Sequence, residues 1–313
     1  MEKAHAPVLL QEVLQYLNCQ PNRIYVDGTV GSGGHARAIL DRTSPMGRLI
    51  GLDWDKEAIG RAREKLSSFG RRVELREGNY KDLKSVLTDL SIRAVDGILL
   101  DLGLSTEQLE DEGRGFSFLR DGPLDMRMSR EGRTTAQDLL RRLSVGEMSR
   151  LLKENGEERW ASRIAKAVVR RRKTAPIRTT GELVDVIRRS VPVRRGRIHP
   201  ATRTFQALRI AVNEELQNLE TFLKQGKDLL NPGGRLVILS FHSLEDRLVK
   251  NYFRQWAKGG EGNPPLFSIL TRKPVVPSHA EVLVNPQARS AKLRVVEKIS
   301  EIPQGRKDGG SDL

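Results

Sequence analysis

The stretch IYVDGTVGSGGH, residues 24–35, decides the fold of this 313-residue chain. Its apolar beginning predicts a strand over 24–30, and residues 34–42 have the composition of a helix. Glycines between a strand and a helix let backbone N–H groups approach a ligand closely, and the helix N-terminus favours negative charge. The segment 31–36 also fits the loose G-x-G-x-x-G/A pattern of dinucleotide-binding loops. The stretch therefore predicts a βα unit whose turn binds a ligand.

Apolar runs and amphipathic segments alternate through the rest of the first hundred residues. The runs predict three more strands at 48–54, 73–78 and 95–102, and the segments between them predict helices at 56–67 and 81–90. Apolar strands separated by amphipathic helices indicate a parallel sheet that is covered on both faces. We therefore predict an α/β fold with a Rossmann-like sheet.

The pattern changes after the fourth predicted strand. Residues 103–133 are rich in Gly, Ser and Asp and predict a loop, whereas residues 136–189 show only helical periodicity. One long helix is predicted over 204–230, and a fifth strand over 235–241. A further helix and two strand-like segments follow at 244–256, near 266–273 and near 292–299.

This order favours one sheet domain that is interrupted by an all-helical insertion. The predicted boundaries are 1–110 for the first part of the sheet domain, 111–203 for the insertion, 204–300 for the second part and 301–313 for a disordered tail.

The positive charge of the chain is concentrated in one segment. The net charge is +14, from 54 Lys and Arg against 40 Asp and Glu, and residues 161–210 contain fourteen basic but only two acidic residues. Arginine suits bidentate contacts with phosphate, and a localised basic patch is typical of nucleic-acid binding. The alternative is a solvated face that only confers solubility. The residues predicted to bind RNA are Arg170, Arg171, Arg172, Lys173, Arg194, Arg195 and Arg197.

The composition excludes several classes of protein. The single cysteine, Cys19, cannot form an internal disulfide, nor a zinc site built on pairs of thiolates. No apolar run is long enough for a signal peptide or a membrane span. We therefore expect a cytoplasmic protein without a membrane partner.

Polar residues stand at the predicted carboxyl ends of the strands, where open parallel sheets bind ligands. Asp53 ends the second strand, where an acid can accept hydrogen bonds from both ribose hydroxyls; the alternative is an N-cap on the next helix. Asn79 and Tyr80 end the third strand, where an amide can bind an adenine edge and a ring can stack on it. Asp101 ends the fourth strand.

Two nucleoside cofactors fit these features, a nicotinamide dinucleotide and S-adenosylmethionine. A dinucleotide enzyme would continue as a second mononucleotide-binding half, whereas this chain continues into a basic helical segment. The segment NPGGRLVILS, residues 231–240, is typical of S-adenosylmethionine-dependent methyltransferases where it precedes their fifth strand.

Seven segments together resemble the signatures of one family. They are HAPVLLQEVLQYL (5–17), DGTVGSGGH (27–35), DLGLS (101–105), RGFSFLRDGPLDMRM (114–128), HPATRTFQALRIAVNEEL (199–216), SFHSLEDRLVK (240–250) and NPQARSAKLRVVEK (285–298). The chain is similar in these segments to the RsmH (MraW) family, the bacterial small-subunit (16S) ribosomal-RNA cytosine N(4)-methyltransferases. The resemblance implies a class I S-adenosylmethionine-dependent methyltransferase sheet with a helical insertion, and a cytosine of the decoding centre in 16S rRNA as the substrate.

The resemblance also assigns positions to the cofactor. It implies a cofactor loop, a ribose acid, an adenine-side residue and two contacts near the methionine end. The loop is formed by Gly33, Gly34 and His35, and the ribose acid is Asp53. The adenine-side residue is Tyr80, and the contacts near the methionine end are Asp101 and Gln108.

The exocyclic amine of cytosine is a poor nucleophile because its lone pair is conjugated with the ring. The enzyme must position this amine and accept its hydrogens, and needs neither a metal nor a covalent intermediate. Asp101 is the first candidate for a catalytic residue. His242, after the fifth strand, is a second candidate as acceptor of the amine proton; a structural histidine is the alternative. Phe116, Phe118 and Phe241 are candidates for a ring that stacks on the base, or else core residues.

Other functions stay open at this point. A dinucleotide-dependent oxidoreductase would share the glycine turn, and a non-catalytic RNA-binding assembly factor would keep the fold without transferring a methyl group. Methylation at carbon 5 of cytosine needs a cysteine nucleophile. This reaction is disfavoured because Cys19 lies before the first strand, far from the carboxyl ends of the strands.

Overall fold

The computed structural model describes residues 7–192, 199–258 and 265–299. Three residues predicted to bind RNA, Arg194, Arg195 and Arg197, and the predicted tail 301–313 lie outside the described residues. Among the residues described, no helix is both long enough and apolar enough to cross a membrane.

A seven-stranded sheet forms the centre of the molecule, with the strand order β3-β2-β1-β4-β5-β7-β6. The strands are β1 (Ile24–Asp27), β2 (Arg48–Asp53), β3 (Val73–Glu77), β4 (Val95–Asp101), β5 (Leu230–Ser240), β6 (Phe267–Ile269) and β7 (Lys292–Lys298). Strands β1 to β5 pair in parallel, and β7 runs antiparallel to both β5 and β6. The predicted α/β class and Rossmann-like sheet are confirmed.

Thirteen α-helices are present in the described residues. They are α1 (Leu10–Leu17), α2 (Gly34–Arg42), α3 (Lys56–Lys65), α4 (Leu83–Asp89), α5 (Thr106–Glu110), α6 (Ala136–Arg142), α7 (Val145–Gly156), α8 (Ala161–Thr174), α9 (Thr180–Ser190), α10 (Thr202–Asn213), α11 (Glu215–Gly226), α12 (Ser243–Lys258) and α13 (His279–Val284).

Three hydrophobic cores hold these elements together. One face of the sheet packs against α1, α2 and α3, and the other against α4, α11 and α12. A third core, formed by α6 to α10, has no strand in it and includes Phe205 and Leu208 of α10. The predicted division into domains stays a prediction, but this core shows α10 packing with the helical segment that precedes it.

The prediction of one long helix over 204–230 is wrong, because the helix is interrupted at Glu214. This residue has a φ of 51°, in the left-handed region that non-glycine residues rarely adopt, and it separates α10 from α11. Side chains on both sides stabilise the break. Asn213 Nδ2 donates to Met126 O at 2.7 Å, and Asn218 Nδ2 donates to Asn213 O at 2.8 Å.

Candidate active site

A cavity of about 440 Å³ lies at the carboxyl ends of the parallel strands. Its lining comes from the turn after β1, the ends of β2, β3 and β4, the segment after β5, and the break between α10 and α11. Of the residues that the sequence assigns to a cofactor, Gly34, His35, Asp53, Tyr80, Asp101 and Gln108 line it. Gly33 belongs to the turn but is not among the lining residues. The topology thus brings residues from four separate strands to one site.

The glycine turn has the backbone geometry that its sequence predicts. Gly31 has a φ of 52° and Gly33 a φ of 83°, so both occupy the region that favours glycine. A Cβ atom on Gly34 would lie 2.6 Å from Pro7 Cγ, which leaves no room for a side chain. The turn therefore holds the start of α2 close to the cavity with its backbone exposed to a ligand.

Asp53 fixes this turn to the end of β2. Its Oδ2 accepts a hydrogen bond from Gly31 N at 2.9 Å, and its Oδ1 accepts one from Asp55 N at 2.8 Å. Burial raises the pKa of Asp53 to about 6. The helix α3 is capped by Asp55, which accepts from Glu57 N at 3.0 Å, so the alternative of Asp53 as the N-cap is wrong. Each carboxylate oxygen keeps a further lone pair for a ligand hydroxyl.

Two aromatic side chains line the same cavity as this acid. Tyr80 lines the cavity and contacts Phe222 edge to face, with ring centroids 6.0 Å apart. Trp54, which the sequence analysis missed, also lines the cavity directly after Asp53. An aromatic residue next to the acid that ends β2 was the signal that could have found it. Asn79 uses its Oδ1 to accept from Lys81 N at 3.0 Å, so part of its amide is already engaged.

The half-buried Asp101 and the buried His35 form a pair in the lining of the cavity. Asp101 Oδ2 lies 3.5 Å from His35 Nδ1, and His35 Nε2 lies 3.0 Å from Val8 O. A carbonyl only accepts, so Nε2 carries the hydrogen and Nδ1 faces Asp101 with a lone pair. Burial lowers the pKa of His35 to about 4 and raises that of Asp101 to about 8. The second oxygen, Asp101 Oδ1, is buried and has no partner among the described residues.

Gln108 lines the cavity, but both ends of its amide are engaged. Its Oε1 accepts from Ser105 N at 3.1 Å, and its Nε2 donates to Asp55 Oδ2 at 2.9 Å. The buried Arg114 donates to the same carboxylate oxygen and to Met128 O. Gln108 therefore fixes the segment after Asp101 against the start of α3.

His242 does not line the cavity; Glu245 does. His242 Nδ1 accepts from Glu245 N at 3.4 Å, and His242 Nε2 lies 3.2 Å from Glu245 Oε1. With Nδ1 accepting, Nε2 carries the hydrogen, so neither ring nitrogen offers a free lone pair to a substrate proton. This arrangement favours the structural alternative, and a catalytic role for His242 stays a prediction.

Three potential metal ligands, Glu215, His242 and Glu245, have ligand atoms within 4.8 Å of one another. Both Glu215 oxygens accept hydrogen bonds from Arg209, each at 2.8 Å. A cation at this position would compete with the guanidinium, so the donor set is poorly suited to a metal. That the reaction needs no metal stays a prediction.

A second cavity of about 700 Å³ lies between α8 and α9 in the basic segment. Arg163, Lys166 and Arg170 line it from α8, and Arg189 lines it from α9. All four are exposed, and we name them the α8–α9 groove cations. Two acidic residues of α9 also line the groove, so its charge is positive on balance and suits a polyanion.

Neighbouring residues that the sequence assigns to RNA differ in their availability. Arg170 and Lys173 are exposed, whereas Arg171 Nη1 donates to Ala175 O and Arg172 Nη1 donates to Leu140 O, each at 2.6 Å. Arg171 and Arg172 thus hold backbone carbonyls at helix ends, and a combined substitution would alter local structure as well as charge.

Known proteins share this sequence almost from end to end. Residues 2–299 match the model of the MraW methylase family. The chain belongs to this family. It is 51% identical over 313 residues to "Ribosomal RNA small subunit methyltransferase H" of Geobacter sulfurreducens, covering 96% of this chain and 100% of that protein. The protein of the same name from Heliobacterium modesticaldum is 50% identical over 308 residues, covering 94% of this chain and 98% of that protein.

Solved structures resemble this MraW-family chain only distantly. TrmN from Thermus thermophilus is 14% identical with a TM-score of 0.44, covering 93% of this chain and 48% of that one. The family membership itself identifies an S-adenosylmethionine-dependent methyltransferase, and so excludes the dinucleotide-dependent oxidoreductase.

The MraW-family cavity fits S-adenosylmethionine on its own chemistry. The Gly31 turn leaves backbone close to the ligand, and Asp53 can accept from ribose hydroxyls. Trp54 and Tyr80 offer aromatic rings in the same cavity, and Asp101, whose Oδ1 has no partner among the described residues, also lines it. These residues would hold the cofactor.

The ligand-free methyltransferase should lose stability as the pH rises. Burial and the nearby charge of Asp53 raise the pKa of Asp27 to about 7. Burial and the nearby charge of Asp27 raise the pKa of Asp101 to about 8. A raised carboxyl pKa stabilises the fold fully below the unfolded value, and this contribution is lost as pH rises through the folded value. We expect Asp101→Asn to raise Tm by about 2–5 °C at pH 8.5 and to have little effect at pH 4. Thermal unfolding at both values measures this, and an equal shift at both would contradict the burial of a carboxylate here.

Proposed function

We propose that this methyltransferase transfers a methyl group to the exocyclic N4 amine of a cytosine in the decoding centre of 16S ribosomal RNA. The names of the relatives at about half identity support small-subunit rRNA as the substrate. The observation that carries the amine specificity is Asp101, which lines the cavity at the end of β4 and whose Oδ1 has no partner among the described residues.

Asp101 is suited to activate an amine. When bound, S-adenosylmethionine supplies an electrophilic methyl group on its sulfonium. Asp101 Oδ1 accepts a hydrogen bond from the amine, which draws the nitrogen lone pair out of conjugation with the ring. His35 Nδ1 faces the other carboxyl oxygen at 3.5 Å, and its lone pair can accept a hydrogen bond from that oxygen when the oxygen is protonated. The main contribution of the protein is to position the amine in the cavity.

Of the three candidate rings, Phe241 is best placed to stack on the base. It lines the cavity and follows β5 directly. Phe116 is buried in the helical core, and Phe118 stacks on His199 with ring centroids 4.7 Å apart. We therefore assign the stacking role to Phe241.

Methylation at carbon 5 of the base needs a cysteine nucleophile, and no cysteine is among the described residues that line the cavity. Cys19 lies in a hydrophobic core, and burial raises its pKa to about 12. A thiolate is the reactive form of cysteine, so this residue is inert at neutral pH. Replacing Cys19 with Ser should therefore preserve methyl transfer.

Labelled methyl transfer to isolated ribosomal subunits tests the proposed function. Small subunits from a strain that lacks the modification should accept label from S-adenosylmethionine into their 16S RNA, and large subunits should not. A protein that binds small subunits and the cofactor but transfers no label would instead be a non-catalytic assembly factor.

The salt dependence of subunit binding tests the role of the α8–α9 groove cations. Replacing Lys166, Arg170 and Arg189 with Gln should weaken binding and flatten the log–log salt slope by about 2–3, since each phosphate contact contributes roughly 0.7–0.9. Affinity for S-adenosylmethionine should not change, because the two cavities have no lining residue in common in the part of the chain that the structure describes.

A charge-matched control separates RNA contacts from net charge. Arg63, Lys65 and Lys224 are exposed and lie outside both cavities, so their replacement with Gln removes the same charge elsewhere. Binding at several salt concentrations should give this control the wild-type slope. Equal slopes for the groove variant and the wild type would show that the groove does not contact RNA and is only a solvated face.

A further inference from the structure

Arg209 differs from the exposed cations of the basic segment around it. It lines the catalytic cavity, and its side chain is only 16% exposed. Within residues 7–192, 199–258 and 265–299, it is the one Lys or Arg that lines this cavity. Burying an arginine carries a desolvation cost that hydrogen bonds must offset.

Glu215 satisfies one edge of this guanidinium. Arg209 Nε donates to Glu215 Oε1 and Nη2 donates to Oε2, both at 2.8 Å, which is the bidentate geometry of a strong pair. Nη1 has no hydrogen-bond partner among the described residues. A rigidly held donor therefore remains in the cavity for a ligand.

The break at Glu214 places this pair. Because α10 ends at Asn213 and α11 begins at Glu215, the pair joins the last turn of one helix to the first residue of the next. Asn213 holds the break to the loop after Arg114, donating to Met126 O and accepting from Met128 N, each at 2.7 Å. The guanidinium is thus fixed in position before any substrate binds.

Glu245 links Arg209 to the catalytic candidate. Its buried carboxylate interacts electrostatically with both Asp101 and Arg209. All three line one cavity, so it presents carboxylate acceptors and one cationic donor to the same ligand. A base with a donor amine beside a ring acceptor matches this arrangement.

We propose that Arg209 donates a hydrogen bond from Nη1 to the ring nitrogen N3 of the target base, with Glu215 as the positioning residue, and that this contact selects cytosine over uracil. The inference rests on the proposed function, in which a cytosine amine accepts the methyl group. Cytosine presents an amine donor next to N3 as an acceptor. Uracil presents an oxygen acceptor next to an N–H donor, which would face Asp101 and Arg209 with the wrong polarity.

Substitution of one substrate atom tests this contact. Small subunits are reconstituted with 16S RNA that carries either cytosine or 3-deazacytosine, in which CH replaces N3, at the position that the wild type methylates. Single-turnover methyl transfer is measured for wild type, Arg209→Met and Glu215→Gln, with calorimetry of S-adenosylmethionine binding. Lys224→Met is the control, because Lys224 is an exposed cation that pairs with Glu220 on α11.

The wild type should transfer a methyl group to 3-deazacytosine about 10²-fold more slowly than to cytosine. Arg209→Met should methylate cytosine about 10²-fold more slowly than the wild type does. Its ratio of the rate on cytosine to the rate on 3-deazacytosine should be much smaller, because the contact with N3 is already absent in this variant. Any intrinsic difference in amine reactivity between the two bases cancels in this comparison. Glu215→Gln should reduce the ratio in part, and Lys224→Met should keep it.

Three results would overturn the assignment of Arg209. The first is an unchanged ratio of the two rates in Arg209→Met. The second is a loss of cofactor affinity in Arg209→Met of about tenfold or more, which would make Arg209 a cofactor contact. The third is the same loss of ratio in Lys224→Met. A wild type that methylates neither base would instead overturn the proposed function, and the assignment with it. Should Arg209→Met fail to fold, Arg209→Lys keeps the charge but loses the bidentate fork, and its ratio should still fall.

Discussion

Replacing Asp101 with Ala should lower the rate of methyl transfer by about 10²–10⁴-fold while leaving the protein folded. The substitution removes the buried Oδ1 that has no partner among the described residues, and with it the acceptor proposed for the amine. It also removes the oxygen that lies 3.5 Å from His35 Nδ1. Single-turnover transfer to small subunits at saturating cofactor separates the loss of rate from weaker binding, which the resemblance also leads us to expect.

Asp101→Asn is the matched control for this result. An amide keeps an oxygen acceptor of the same size but cannot take up a proton at neutral pH. If accepting the hydrogen bond is the main effect, Asn should be about tenfold or more faster than Ala. An Ala variant within about threefold of the wild type would exclude Asp101 from the chemistry.

The second large effect is expected from Asp53→Ala. The affinity for S-adenosylmethionine should fall by about 1.5–3 kcal/mol, because charged hydrogen bonds to the ribose are lost. Since Asp53 Oδ2 also accepts from Gly31 N at 2.9 Å, part of the loss should come from a less ordered glycine turn. Calorimetry of cofactor binding measures the affinity, and thermal unfolding shows whether the fold is kept.

Glu77→Ala provides a control on the neighbouring strand. Glu77 pairs with Asp53 in the register of β2 and β3, but it is exposed and does not line the cavity. Its removal should leave cofactor affinity unchanged. Wild-type affinity in Asp53→Ala would place the ribose elsewhere in the cavity.

Much of the fold could be predicted because local sequence determines it. The stretch 24–35 has apolar residues for a strand and glycines at the two positions, Gly31 and Gly33, where φ is positive. The helix α2 (Gly34–Arg42) begins and ends where its composition predicts. Asp53 and Asp101 could be found as strand ends, because parallel strands bring their carboxyl ends to one edge.

The break at Glu214 could not be predicted in this way. Helical periodicity continues through 204–230, and no glycine or proline marks the break. Its left-handed φ is supported by contacts of Asn213 with a loop that lies more than eighty residues earlier in the chain. Tertiary contacts of this kind override helix propensity and leave no local signal.

The same break explains why the position of Arg209 could not be predicted. From sequence alone it is one of fourteen basic residues in an exposed-looking segment, whereas the fold buries it beside Glu215. The hydrogen bond of Gln108 to Asp55 was equally hidden, because Asp55 caps another helix. Such pairings depend on the packing of distant segments.

Identification of the methylated nucleoside tests the central claim most directly. Small subunits lacking the modification are incubated with the wild type and labelled S-adenosylmethionine, and the 16S RNA is digested to nucleosides, separated and analysed by mass spectrometry. The account predicts a single labelled product, N4-methylcytidine, and the same product from Cys19→Ser. Label in 5-methylcytidine, in another base or in a ribose would contradict it.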